Sequence, residues 1–141
     1  MKYLVATDGS EHSKVAVEYA VKDAVLREIP VEIIHVLKPQ AEMVDGEIVL
    51  PGDTKAITKG NEIVEDAAEV ATQLLDEYDT DIQITTTLQT GYPPDVIVTQ
   101  VEETETFRLY LGHRNDAKQT IGSVAKTVLD KVDIPVMIVR D

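Results

Sequence analysis

Two stretches at opposite ends of the chain carry the residue types that could hold an anionic ligand. The first is Ala6-Thr7-Asp8-Gly9-Ser10, directly after the apolar run Tyr3 to Val5. The second opens at Leu111-Gly112-His113-Arg114-Asn115 and closes at Gly122-Ser123-Val124. Each follows a predicted strand and leads into a predicted helix. An α/β fold exposes backbone amides and the positive end of a helix at such places, which is the chemistry that holds anions. Matching strand-to-loop-to-helix contexts, so far apart in sequence, predict one cleft assembled from both ends of the chain.

The elements that would position these loops follow from hydrophobic periodicity. Lys2 to Ala6 reads as a short buried strand, and Ser10 is a candidate N-cap for a helix over about Glu11 to Glu28. Val17, Ala20, Val21, Ala24 and Val25 form an apolar stripe along that helix. Val31 to Leu37, broken only by Glu32 and His35, fits a central strand covered on both faces. Residues 38 to 56 show no clear periodicity and contain Pro39, Gly46, Pro51 and Gly52, so they read as a long loop. Thr58 to Tyr78 is predicted as an amphipathic helix, and Ile82 to Leu88 as a more exposed, alternating strand. Gly91-Tyr92-Pro93-Pro94 turns into a third helix, which ends near Glu102 to Glu105. Phe107 to Leu111, Ser123 to about Val132, and Val136 to Val139 complete the pattern as strand, helix and strand. Strands and helices alternate throughout, which predicts a single doubly wound α/β domain over residues 1–141: five parallel strands with helices on both faces.

Bulk composition narrows the function classes. Hydrophobic residues make up 43% of the chain, so it is globular. No apolar run approaches the roughly 18 to 20 residues that span a membrane. The first residues run straight into a strand with no signal peptide pattern, and a cytoplasmic protein is expected. There are no cysteines, which removes disulfides, thiol nucleophiles and thiolate metal sites. The formal net charge of −13 argues against nucleic acid and anionic membranes as partners, because both reward clustered Lys and Arg. The excess acid reads as a solubilising surface. Together with few Lys and few aromatics it also fits a halophilic, haloarchaeal origin, where high salt screens self-repulsion. His12 and His113 lack a second ligand at metal spacing, and His35 reads as a residue of the fold, so no metal site is expected.

Taken in order, several segments resemble the universal stress protein family over essentially the whole chain. They are Val5-Ala6-Thr7-Asp8-Gly9-Ser10 with Ser13 and Ala16, Ile34-His35-Val36, and Gly91-Tyr92-Pro93. Leu111-Gly112-His113-Arg114, Gly122-Ser123-Val124-Ala125 with Val128-Leu129, and Ile134-Pro135-Val136-Met137-Ile138-Val139 complete the likeness. The resemblance implies strand order 3-2-1-4-5 and a homodimer through the fifth strand, Val136, Met137, Ile138 and Val139. It also implies an ATP site, with Mg²⁺, in the family members that bind nucleotide. By that likeness Ala6, Thr7 and Val36 line the adenine pocket and Asp8 contacts adenine-ribose. Gly112, Gly122 and Ser123 are then the phosphate candidates, and Leu111, Asn115 and Val124 further nucleotide-binding positions. The family's binders resemble one another in a G-x2-G-x9-G-[S/T] pattern. Here Asn115 replaces the second glycine, and six residues rather than nine separate it from Gly122.

That departure keeps two functions in view. One is a dimeric, nucleotide-binding stress sensor or regulator without strong catalytic activity. The other is a nucleotide-free dimeric module that recognises a protein partner. Asn tolerates left-handed backbone, so Asn115 can keep a turn, and Arg114 and Lys118 could supply charge beside phosphates. Losing three residues shortens the loop by up to ~10 Å of contour. Asp8, Gly112, Gly122 and Ser123 would also serve as ordinary turn and cap residues of a doubly wound protein. Other nucleotide chemistries are excluded: there is no G-x4-G-K-[S/T] loop, and the first turn, Thr7-Asp8-Gly9-Ser10-Glu11, has no G-x-G-x-x-G. A phosphoacceptor receiver fails as well, because the third strand ends in Leu88-Gln89-Thr90 rather than an Asp.

Overall fold

In chain order the elements are β1 (Lys2–Ala6), α1 (Glu11–Arg27), β2 (Val31–Leu37), β3 (Glu42–Val44), β4 (Glu47–Val49), α2 (Thr54–Tyr78), β5 (Ile84–Thr90), α3 (Pro93–Glu103), β6 (Thr106–His113), α4 (Ser123–Lys131) and β7 (Val136–Arg140). They are seen in a computed structural model that describes residues 1–50, 52–113 and 122–140. Five strands form one parallel sheet in the order β5-β2-β1-β6-β7, which is the expected 3-2-1-4-5 once the two hairpin strands are set aside. β1 is central because Tyr3, Leu4 and Val5 are covered on both faces.

Two apolar layers hold the helices to the sheet. On one face Tyr3, Val5, Val31, Ile33 and Tyr110 pack under Val17, Ala20 and Ala24 of α1 and Ala67 and Ala71 of α2. On the other face Leu4, Ile34, Val36, Leu109 and Leu111 meet Ile97, Val98 and Val101 of α3 and Val128 of α4. Strand alternation makes this division, since successive side chains leave the sheet on opposite sides. The α1 stripe read from the sequence is buried from Val17 to Ala24.

Several boundaries differ from the periodicity reading, each for a local reason. The long loop contains an antiparallel hairpin, β3–β4, with Met43 opposite Ile48 and a turn at Asp45-Gly46. Both turn residues have positive φ, 51° and 81°, which is the geometry that Asp-Gly favours in two-residue hairpins. Three-residue strands are too short to give a period-2 signal, so the Asp-Gly pair was the only legible cue. Helix α2 starts at Thr54 rather than Thr58 because Asp53 takes the N-cap position. That first turn exposes Ile57 and so breaks the apolar stripe. Strand β5 lies two residues later than expected, set by the register Val31↔Ile84. Strand β6 runs on to His113, because Gly112 and His113 pair with Val139 and Arg140 of β7. Gly112 is therefore a strand residue and not the opening of a loop.

Candidate functional site

The carboxyl ends of β1, β2 and β6 stop at one level, where the chain crosses from one helical layer to the other. This is the switch point at which doubly wound sheets leave a crevice. A cleft of about 1270 Å³ opens there, walled by the strand ends, the first turn of α1, the β3–β4 hairpin, α2 and the start of α4. It exceeds the roughly 300–1,000 Å³ usual for small-molecule sites, so it is a broad groove with room for an extended ligand.

The β1–α1 corner is fixed by its own side chains. Ser10 caps α1: its Oγ accepts from the Ser13 amide at 3.2 Å. Thr7 Oγ1 accepts from the Gly9 amide at 3.2 Å and lies 3.0 Å from Ser13 Oγ. Asp8 Oδ1 accepts from the Ser10 amide at 2.9 Å, closing an Asx turn. Partial burial raises the Asp8 pKa, but the bonds from Ser10 and Ser13 and the nearby His12 outweigh it, so the carboxyl sits below its ordinary value. His12 Nε2 is 3.9 Å from Asp8 Oδ2. Across the strand ends, His35 Nδ1 donates to the Thr7 carbonyl at 2.8 Å, which ties β2 to β1. The acceptor is a carbonyl, so Nδ1 must carry a proton.

On the opposite wall, β6 ends beside the start of α4. Gly122 is the N-cap of α4, with φ −64° and ψ 163°, and among the described residues no side chain bonds the helix's first amides. The amide of Lys126 is the first to find a helical partner, the Gly122 carbonyl at 3.0 Å. The amides of Ser123, Val124 and Ala125 precede it, and the positive end of the helix dipole faces the cleft with them. Gly112 approaches α1 so closely that a Cβ there would lie 2.5 Å from the His12 carbonyl oxygen. Its glycine is thus required by strand-on-helix contact, whatever else the residue does.

The structure brings Ala6, Thr7, Asp8, Val36, Leu111, Gly112, Gly122, Ser123 and Val124 to this one cleft. The remaining candidate, Asn115, lies outside the described residues, as do Arg114 and Lys118. Sequence reasoning missed the contributions of Val44 and Val49 from the hairpin and of Gly60 and Ile63 from α2. The Asp-Gly turn could have signalled the hairpin, whereas nothing local places α2 over the strand ends. All three histidines of the chain, His12, His35 and His113, line the cleft. Among the described residues, no three His, Asp or Glu side chains converge to hold a metal ion. No helix among them is long and apolar enough to cross a membrane.

Comparison with known proteins gives the same frame. A universal stress protein from Archaeoglobus fulgidus in complex with dAMP superimposes with a TM-score of 0.75 at 23% identity, covering 99% of this chain and 97% of that one. A universal stress protein in complex with cAMP gives 0.74 at 22% identity, covering 99% and 96%. An Arabidopsis thaliana universal stress protein family member with AMP bound gives 0.68 at 19% identity, covering 99% and 90%. No curated protein matches the chain in sequence. The universal stress protein family matches residues 1–140, and the chain belongs to that family.

Proposed function

We propose that this protein binds adenine nucleotides, ATP with Mg²⁺ among them, in the cleft at the carboxyl ends of β1, β2 and β6. It then acts as a dimeric stress sensor or regulator without strong catalytic activity. The observation that carries this reading is the meeting, in one groove, of residues from both ends of the chain with the exposed amides of α4. An apolar wall at Ala6 and Val36 suits a base, and a helix start suits phosphates. The family members solved with dAMP, cAMP and AMP support the choice of adenine. A phosphate-bearing ligand in a chain of net charge −13 also needs local positive groups, and Lys38 and Lys59 border the groove.

Titration calorimetry with ATP and Mg²⁺, at low and at molar KCl, tests the reading and the halophilic character of the composition together. Saturable binding with a dissociation constant in the low micromolar range, about −8 kcal/mol, is expected. Asp8→Ala and Gly122→Val should weaken it about tenfold or more. Gly122 is a discriminating position, because no neighbouring atom of the described residues lies within 4 Å of a Cβ built there. A lost affinity at Gly122 therefore reports ligand approach and not a crowded fold. Silence at both salt levels would sink the nucleotide reading. The second reading, a nucleotide-free dimeric module for a protein partner, would then stand on the departure at Asn115 and the shortened spacing to Gly122.

The dimer part of the proposal rests on β7, an edge of the sheet. Its Val136, Met137, Ile138 and Val139 leave apolar side chains beside unpaired backbone groups, an arrangement that favours pairing with another copy. Val139 is covered within the chain, whereas Met137 is exposed. Ile138→Lys should convert a dimer to a monomer in light scattering. An unchanged dimer mass would move the interface elsewhere.

A further inference from the structure

Among the described residues only two buried side-chain polar atoms have no hydrogen-bond partner, Tyr3 Oη and His113 Nε2. Tyr3 is packed against Phe107 and Arg108, away from the cleft. His113 is 7% exposed and lines the cleft. An unpaired polar atom at such depth is destabilising, because it has given up water and gained no partner. His113 is the last residue of its strand, and its two predecessors on the same face are leucines, Leu109 and Leu111.

The orientation of the strand says what the imidazole serves. Leu109 and Leu111 face the layer of α3 and α4, so alternation sends His113 to that side as well. The start of α4, whose first amides no described side chain caps, borders the same groove. Two independent sets of polar groups without partners among the described residues thus border one space: three helix amides and one buried imidazole nitrogen. The other two histidines are already engaged, His12 beside Asp8 and His35 with the Thr7 carbonyl. We propose that His113 is a phosphate-binding side chain of this cleft, making the protein favour a phosphorylated nucleotide over its nucleoside. The proposal rests on the nucleotide reading above and adds to it the residue that senses the phosphate. A neutral imidazole donates one hydrogen bond from Nε2 when that nitrogen carries the proton, and a protonated ring adds charge to the bond.

The test measures AMP and adenosine by titration calorimetry in the wild type, His113→Phe and His113→Gln, with melting curves of each. AMP affinity should fall about tenfold or more in His113→Phe, as expected for a lost hydrogen bond to a charged group. Adenosine affinity should stay within about twofold, and Gln, which keeps an amide donor, should recover part of the loss. Because Nε2 has no partner among the described residues, the Phe variant should melt no lower than the wild type. In the wild type, long-range ¹⁵N spectra should show the His113 imidazole shifting with AMP and not with adenosine, and with only three histidines the signals can be assigned by substitution. Unchanged AMP affinity in both variants overturns the proposal and leaves the nucleotide reading intact, and so does an equal fall for AMP and adenosine. Absence of AMP and adenosine binding to the wild type overturns both.

Discussion

Gly112→Ala should lower the melting temperature by roughly 10 °C and remove ligand binding with it. The added Cβ would meet the His12 carbonyl oxygen at 2.5 Å, the His12 carbonyl carbon at 2.7 Å and the Ser13 amide nitrogen at 2.8 Å. All three are backbone atoms of the first turn of α1, so no side-chain rotation relieves the clash. Either β6 or the start of α1 must move. Overpacking costs about 1–3 kcal/mol, and a backbone obstacle puts this case at the upper end. For a domain of this size that is on the order of 10 °C. The first turn of α1 also carries Ser13, which holds Thr7 across the corner, so displacing the helix distorts the site loop as well. Gly122→Ser is the control: its backbone is extended at φ −64° with no described neighbour within 4 Å of a Cβ, and serine is a good N-cap. It should melt within about 2 °C of the wild type. A Gly112→Ala variant that melts with the wild type would show that the close approach is not what demands a glycine there.

Glu32→Ala should destabilise the protein by about 3 kcal/mol, the scale for breaking a buried ion pair. Glu32 is 5% exposed in the middle of the sheet. Its Oε1 accepts from Lys2 Nζ at the start of β1. Its Oε2 accepts from Thr87 Oγ1 of β5 and from Gln100 Nε2 of α3 at 2.8 Å. One carboxylate therefore binds the central strand, an edge strand and a helix to β2, and its removal strands three donors at once. Burial raises the Glu32 pKa, but the bonds from Lys2, Thr87 and Gln100 lower it more, and the net value lies below the ordinary 4.5. A folded-state pKa below the unfolded one contributes stability that is present above the unfolded value and disappears as pH falls through the folded one. The gap between wild type and Glu32→Gln should therefore shrink from pH 7 to pH 3 in urea melts. Asp8 titrates in the same sense, so the difference between the two proteins, rather than either curve alone, isolates Glu32. A gap that stays constant to pH 3 would remove the charge from the account.

Particular residues show how much of this was legible in the chain. The apolar stripes of α1 and α2, the buried runs of β1 and β2, and the strand–helix alternation fixed the doubly wound class, because those signals repeat over whole elements. The strand order followed only from the likeness to the family. Glu32 looked like a simple interruption of β2. Its burial became sensible only when Lys2, Thr87 and Gln100, distant in sequence, arrived around it. Gly112 read as a loop glycine, yet it is a strand residue kept bare by the backbone of α1.

For the candidate site the division is similar. Loop chemistry at Thr7-Asp8-Gly9-Ser10 was local, set by a cap and turns whose partners lie within a few residues. At Gly122-Ser123 the break in the apolar pattern sufficed, so the sequence alone determined where these two helices would begin and expose their amides. The reach of α2 and the hairpin over the groove was decided only in three dimensions. So was the orphaned nitrogen of His113. Burial and unpaired polarity are properties of the surroundings, and no spacing along a chain encodes which groups fail to find a partner.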